Sequence, residues 1–192
     1  MTATVYKLNY NETISDDIIE ACYEAIMNKA IILYPSDTCY MFTGLAFDPI
    51  PVSKIYETKN RNLNKPMSIL FKDIDMLSKY VCVNDVLTNE IKKYLPGPYT
   101  LLLPTKKCVN YYAIGNSNKV GVRMIDFEPV NKLINKVNAP IITTSANVSG
   151  FPSPYSMKEI DMQYNNVIFD KVKIILDYGE LPNNPLSAII NI

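Results

Sequence analysis

The chain has 192 residues, of which 48% are hydrophobic and 20% charged, and its formal net charge is zero. This length and balance predict one soluble domain with a single core, and they give no electrostatic reason to expect nucleic acid as the main partner. Histidine is absent, which excludes Ser-His-Asp and Cys-His catalysis and leaves cations, hydroxyls, carboxylates and metal ions for any chemistry.

Apolar residues at three- and four-residue spacing predict that the first element is a helix capped by Ser15 or Asp16. Further along the chain, short apolar runs predict strands at 30–34, 67–71, 99–103, 119–125, 140–144, 173–176 and 187–192, with an extended segment at 39–47. Amphipathic stretches predict helices at 52–58, 74–80, from 84 or 85 to before Pro96, at 130–137 and at 157–164. The alternation predicts an α/β domain in which helices cover a twisted sheet.

The cysteines and the N-terminal segment bear on where the protein works. Cys22, Cys39, Cys82 and Cys108 are scattered without a C-x-x-C pair, which predicts buried thiols instead of a disulfide framework or a zinc site. The start of the chain has no basic segment leading into an apolar one, and no apolar run approaches the roughly 20 residues of a membrane span. We therefore expect a cytoplasmic protein without membrane contact.

The chain contains only two arginines, Arg61 and Arg123, against seventeen lysines. A guanidinium holds carboxylate or phosphate with two parallel hydrogen bonds, which a lysine ammonium does not do. Arg61 lies among other cations in KNRNLNKPMS (59–68), and Arg123 lies near the end of a predicted strand, KVGVRM (119–124). The two arginines indicate an anion site, and ordinary surface ion pairs are the alternative interpretation.

Three segments carry groups suited to binding a nucleotide. In YPSDTCY (34–40), hydroxyl side chains follow a predicted buried strand. In KNRNLNKP (59–66), cations could surround a polyphosphate. In IITTSANVSG (141–150), hydroxyls and an amide could hold a phosphate. Each segment alone fits a turn or a solvated loop as well. LPGPYTLLLP (95–104) predicts a rigid turn that leads into a hydrophobic strand, so we expect its role to be mainly structural.

In this order and spacing, the segments resemble the YrdC/Sua5/TsaC family of threonylcarbamoyl-AMP synthases over roughly residues 16–192. The matching motifs are YPT[DE]T at 34–38, K-x-R with a following [KN]-P at 59–66, LPGPYT at 95–100, VGVR at 120–123, S-x-N within STSANxSG at 145–147, and D-x-G and STV at 177–179 and 187–189. The resemblance implies one YrdC-like α/β domain over residues 1–192, with a twisted mixed sheet, flanking helices and a concave ligand cleft.

The resemblance also implies a reaction. L-threonine, bicarbonate or CO2, and ATP would give threonylcarbamoyl-AMP and pyrophosphate for N6-threonylcarbamoyladenosine at position 37 of tRNAs, with Mg²⁺ as cofactor and no metal held by the chain's own residues. A downstream tRNA threonylcarbamoyltransferase complex would receive the product, and direct contact with tRNA would be weak.

Site residues are implied at the positions that match the motifs. Lys59 and Arg61 would be catalytic and would hold the ATP phosphates. The remaining nucleotide contacts would come from Lys119, Ser145, Asn147 and Ser153. The threonine would be bound by Ser36, Lys65, Ser68, Arg123, Thr143 and Ser187, with Arg123 on its carboxylate.

Three features depart from the family pattern. Ser36 stands where the family has threonine, and Y-G-L-G is replaced by YMFTGL at 40–45, which predicts a three-residue insertion that reshapes the cleft wall beside threonine. No match to the extra C-terminal domain of longer members is present, so the chain resembles the short TsaC-like form. Two other functions stay open: an RNA-binding module without activity, and an adenylation domain that uses carbamoyl phosphate.

Overall fold

The computed structural model describes residues 2–10, 12–106, 112–115 and 117–192, and within them nine strands form one mixed sheet. The strands are β1 (Thr4–Lys7), β2 (Ile32–Pro35), β3 (Tyr40–Thr43), β4 (Ser68–Leu70), β5 (Tyr99–Pro104), β6 (Lys119–Arg123), β7 (Ile141–Ser145), β8 (Ile174–Asp177) and β9 (Ala188–Asn191). Their order across the sheet is β1-β8-β2-β3-β7-β4-β6-β5-β9. The predicted α/β class with a mixed sheet is therefore confirmed.

Seven helices connect these strands in the described part of the chain. They are α1 (Asp16–Met27), α2 (Pro49–Thr58), α3 (Ile74–Ser78), α4 (Asp85–Ile91), α5 (Glu128–Val137), α6 (Met157–Tyr164) and α7 (Ile168–Lys171). The predicted cap at Asn84 is confirmed, because its side-chain oxygen accepts a hydrogen bond from Leu87 N at 2.8 Å. α1 packs against α5 and also contacts β2.

Several boundaries differ from the sequence-based expectation, each for a local reason. Helix α2 begins at Pro49, three residues earlier than predicted, because Asp48 accepts a hydrogen bond from Ile50 N and proline suits the first helical turn. Strand β1 was not predicted, since it is a short edge strand whose residues are mostly exposed. Helix α7 was missed because its four residues are too few to show a helical period.

The departure from the family pattern at residues 40–45 takes the form of a regular strand. Tyr40–Thr43 is β3, which pairs with β2 on one side and with β7 on the other. Met41 lies opposite Tyr34 of β2 and opposite Ser145 of β7. Met41 is therefore fixed in the middle of the sheet, with its backbone held from both sides.

The thiols are only partly as predicted. Cys22 and Cys39 are buried, whereas Cys82 is exposed, so the prediction of a buried thiol is wrong there. The reason is local: Val81 is buried and forms a bridge with Thr105, and the next residue of this extended segment points outward. Cys108 lies outside the described residues. Across the described ranges, no helix is both long enough and apolar enough to span a membrane.

Candidate active site

One face of the sheet collects the polar side chains of the motifs. Residues directly opposite each other in neighbouring strands share a face, as do residues two positions apart in one strand. Met41 lies opposite Ser145, and Thr143 lies opposite Ser68. The same rule adds Arg123, Gly121 and Thr100 from β6 and β5. The opposite face of β5 and β6 carries fully buried apolar residues: Leu101, Leu103, Val120 and Val122.

A cavity of about 270 Å³ lies on this polar face. Seven of the twelve predicted site residues line it: Arg61, Ser68, Arg123, Thr143, Ser145, Ser153 and Ser187. Both arginines therefore line the same cavity, although 62 positions separate them in the chain. Gly121 contributes space, because a Cβ atom there would lie 3.0 Å from Ser68 Oγ and 3.2 Å from Thr100 Cγ2.

Arg123 is the most buried cation of the cavity, with only 2% of its surface exposed. Its Nη2 donates to both carboxylate oxygens of Asp37, at 2.8 and 3.1 Å. Its Nη1 contacts Met41 Sδ at 3.7 Å, and its Nε is buried without a hydrogen-bond partner among the described residues. A buried guanidinium needs a partner charge, which Asp37 supplies, and it still has donors for a second anion.

The ion pair between Asp37 and Arg123 joins the linings of two cavities. Arg123 lines the cavity of about 270 Å³, while Asp37 lines a neighbouring one of about 600 Å³. The backbone oxygen of Asp37 accepts a hydrogen bond from Asn184 Nδ2 at 3.0 Å. The backbone of Asp37, whose carboxylate orients Arg123, is thereby held by a second segment of the chain.

Lys59 is fully buried, and its ammonium holds the turn that follows β7. Its Nζ donates to the backbone oxygen of Ser145, to Asn147 O at 2.9 Å and to Asn147 Oδ1 at 3.2 Å. Ser145 Oγ in turn donates to Asn147 Oδ1 at 2.5 Å. Burial lowers the pKa of Lys59 to about 7, and the positive charge of Arg61 adds to this effect.

Replacing Lys59 by methionine is expected to remove a pH-dependent part of the free energy of unfolding. Folded Lys59 loses its proton near pH 7, whereas the ordinary lysine pKa of 10.5 applies when the chain is unfolded. The unfolded state therefore binds more protons above pH 7, and wild-type stability should rise by about 1–2 kcal/mol between pH 7 and pH 8.5. This interval stays below the ordinary thiol pKa of 9.0, above which the raised pKa of buried Cys22 acts in the opposite direction.

Urea unfolding at several pH values measures this difference. The matched control is Lys54→Met, which removes an exposed lysine and should keep the wild-type rise. Parallel profiles for wild type and Lys59→Met would contradict the lowered pKa of Lys59.

Arg61 lines the same cavity and is half-buried. Its Nε donates to Lys65 O at 3.2 Å and its Nη2 to Pro66 O at 2.8 Å. Within the described ranges its Nη1 has no hydrogen-bond partner. Arg61 thus shapes the loop before β4 and still offers one nitrogen towards the cavity. The Lys65 side chain is exposed.

Three further predicted site residues differ in their surroundings: Ser36, Lys119 and Ser187. Ser36 Oγ accepts hydrogen bonds from Thr38 N and Cys39 N and donates to Cys39 O, so it organises the turn after β2. Lys119 lies further along β6 on the same face as Arg123, where its Nζ donates to Asn191 Oδ1 at 2.6 Å. Ser187 Oγ and Thr100 Oγ1 are 2.8 Å apart at the cavity wall.

Among the residues that the sequence analysis did not predict, Met41 and Thr100 line the cavity, and Asp37 pairs with Arg123. Asp37 stood inside a motif that was recognised, but nothing in the sequence showed that it pairs with Arg123. Thr100 belongs to LPGPYT, which was read as architecture; alternation along β5 could have indicated that Thr100 faces away from Leu101 and Leu103.

The described residues offer no cage for a metal ion. No group of three or more His, Cys, Asp or Glu side chains among them could hold one. Asp37, the acidic side chain that contacts Arg123, is committed to that ion pair. Mg²⁺ commonly binds through substrate phosphates with few protein ligands, so the cavity fits Mg²⁺ only as an ion that arrives on a nucleotide.

Comparison with known proteins agrees with this geometry. The model of the Sua5/YciO/YrdC family, described as "Telomere recombination", matches residues 24–192. The chain belongs to the Sua5/YciO/YrdC family. A protein of Methanocaldococcus jannaschii is 35% identical over 188 residues, which cover 98% of this chain and 86% of that protein.

Two further members of the Sua5/YciO/YrdC family are informative. A Wigglesworthia glossinidia brevipalpis protein, named threonylcarbamoyl-AMP synthase, is 32% identical over 160 residues, covering 80% of this chain and 78% of that protein. The crystal structure of P. abyssi Sua5 complexed with L-threonine matches with a TM-score of 0.88 and 28% identity. It covers 99% of this chain and 54% of the Sua5 chain, so this chain spans about half the length of that protein.

Proposed function

We propose that this chain is an L-threonylcarbamoyladenylate synthase, which forms threonylcarbamoyl-AMP and pyrophosphate from L-threonine, bicarbonate or CO2, and ATP. The observation that carries the proposal is the single cavity onto which Arg61, Arg123 and the hydroxyls of the sheet face open. The name of the W. glossinidia relative and the L-threonine complex of P. abyssi Sua5 support the same reaction.

The chemistry suits a chain without histidine. The threonine nitrogen takes up CO2 as a carbamate, and a carbamate oxygen attacks the α-phosphorus of ATP. The bond from this phosphorus to the bridging oxygen breaks, and pyrophosphate leaves with the electron pair. The substrate supplies the nucleophile, so the protein has to position the reactants and stabilise negative charge.

The threonine would lie at the end of the cavity that Arg123 lines. A guanidinium whose Nη2 is already held by Asp37 is pre-oriented, so its remaining donors can take the threonine carboxylate without further ordering. Hydroxyls around this end would meet the hydroxyl and amino groups of threonine, and the residues proposed for this role are Ser36, Ser68, Thr143 and Ser187, with Lys65 near the entrance.

The ATP phosphates would lie towards Arg61 and the turn after β7. Arg61 would neutralise charge as pyrophosphate departs. Lys59 would act on the same phosphates through the turn it holds, because its ammonium fixes Ser145 and Asn147. Lys119 and Ser153 complete the proposed nucleotide contacts.

Several partners follow from this proposal. Mg²⁺ would enter with ATP and supply additional charge neutralisation at the phosphates. The product is a reactive mixed anhydride, so a tRNA threonylcarbamoyltransferase complex would take it up, in the cytoplasm. Direct binding of tRNA would be weak, because the net charge of the chain is zero.

One assay tests the proposal. The protein is incubated with ATP, Mg²⁺, bicarbonate and L-threonine, and pyrophosphate release is measured. Release that requires both threonine and bicarbonate is the expected result. Release that requires carbamoyl phosphate would replace the proposal with a carbamoyl-phosphate-dependent adenylation, and absence of release together with tRNA binding would replace it with a binding module.

A further inference from the structure

Met41 occupies a central position at the proposed amino-acid end of the cavity. Its side chain lines the cavity and is only 4% exposed. Its sulfur contacts Arg123 Nη1 at 3.7 Å and accepts a hydrogen bond from the hydroxyl of Thr143. Two groups proposed to bind threonine are thus both directed at one thioether.

A thioether is a weak partner for these donors. Sulfur of this type accepts hydrogen bonds poorly, and a guanidinium bonds far more strongly to a carboxylate. A ligand with a carboxylate and a hydroxyl would therefore compete well for Arg123 and Thr143. Because the Met41 sulfur contacts both groups, a ligand bound to them would lie directly beside the Met41 side chain.

The backbone at Met41 cannot move aside to make room. Residue 41 is paired on one side with Tyr34 and on the other with Ser145, in the interior of the sheet. Only the side chain can adjust, and methionine is an unbranched side chain that fills irregular space by rotating. The length of the side chain at position 41 therefore decides how much room remains beside Arg123.

We propose that Met41 is the residue that sets the size of the amino acid accepted at this site. The inference rests on the proposed function in one respect, since it places the amino acid next to Arg123 and Thr143. In this arrangement the Met41 side chain leaves room for a side chain as large as that of threonine and excludes longer ones. Met41 acts here as a specificity-determining residue and takes no part in bond making or breaking.

The test compares L-threonine with L-3-hydroxynorvaline, which has the same polar groups and one more methylene. For each amino acid, kcat/KM is measured from pyrophosphate release with wild type, Met41→Ala and Met41→Leu. Wild type should prefer threonine by about tenfold or more, the usual effect of one methylene in a fitted pocket. Met41→Ala should lower this preference to about threefold or less. Met41→Leu, which keeps the volume and removes the sulfur, should retain it.

The outcomes separate this inference from the proposed function. A wild-type preference that persists in Met41→Ala would overturn the role of Met41, and so would a wild type that accepts both amino acids equally. If Met41→Ala does not fold, Met41→Val shortens the side chain while suiting a strand, and the same criterion applies to it. If wild type releases no pyrophosphate, the proposed function fails. The role of Met41 is then tested by calorimetry, which measures the affinity of wild type and of the Met41 variants for each of the two amino acids, with the same preferences expected.

Discussion

Replacing Arg123 by lysine should raise the KM for L-threonine by about ten- to a hundredfold and leave the KM for ATP within about twofold. The guanidinium is 2% exposed and already bonds Asp37 through Nη2, so it can serve a second carboxylate only because it has further donors in a rigid plane. A lysine ammonium would have to choose between Asp37 and the substrate. Losing hydrogen bonds to a charged group costs about 1.5–3 kcal/mol, which corresponds to this range.

Steady-state pyrophosphate release, with each substrate varied in turn, measures the effect. Arg61→Lys is the matched control, because it makes the same chemical change at the second arginine that lines the cavity. Its main effect should fall on the KM for ATP. Equal increases in both KM values for Arg123→Lys would contradict the assignment of Arg123 to the threonine carboxylate.

Replacing Asp37 by alanine should lower the free energy of unfolding by about 3 kcal/mol or more. Removing one partner of a buried ion pair typically costs about 3–5 kcal/mol, because the other charge is left buried without compensation. Arg123 has 2% of its side chain exposed and Asp37 17%, so some water reaches the aspartate and the effect should lie near the lower end. Urea denaturation measures the change.

Two further variants give this prediction its control. Glu20→Gln removes an exposed ion pair with Lys136 and should cost about 1 kcal/mol or less. The double variant Asp37→Ala, Arg123→Met removes both buried charges and should be more stable than Asp37→Ala alone. A single Asp37→Ala variant as stable as Glu20→Gln would show that Asp37 does not compensate the buried guanidinium.

Sequence patterns predicted most elements of the fold, because apolar period and turn residues are local properties. The strand at 99–103 and the helix at 130–137 lie within one residue of β5 and within two residues of α5. What the patterns did not contain is the order of strands. Nothing local places β9 beside β5 or β3 beside β7, since these pairings depend on how apolar faces pack in three dimensions.

In the candidate site, too, local sequence patterns predicted some features, whereas others depend on tertiary packing. The arginines stood out by residue type alone, and the motifs gave their neighbours. The pairing of Asp37 with Arg123 depends on strand order, which no local pattern encodes. The burial of Lys59 was equally hidden, because a lysine in a polar sequence context normally lies in solvent and here its ammonium meets three oxygens of one turn.

The polar face draws side chains from six strands, which run from Met41 in β3 to Ile189 in β9. A ligand in this cavity can bind only when all six are assembled, so it favours the native state over the unfolded one by mass action. At a concentration 100 times its Kd, a ligand adds about 2.7 kcal/mol to stability. Chains without ligand should therefore be open to proteases for a larger fraction of the time than ligand-bound chains.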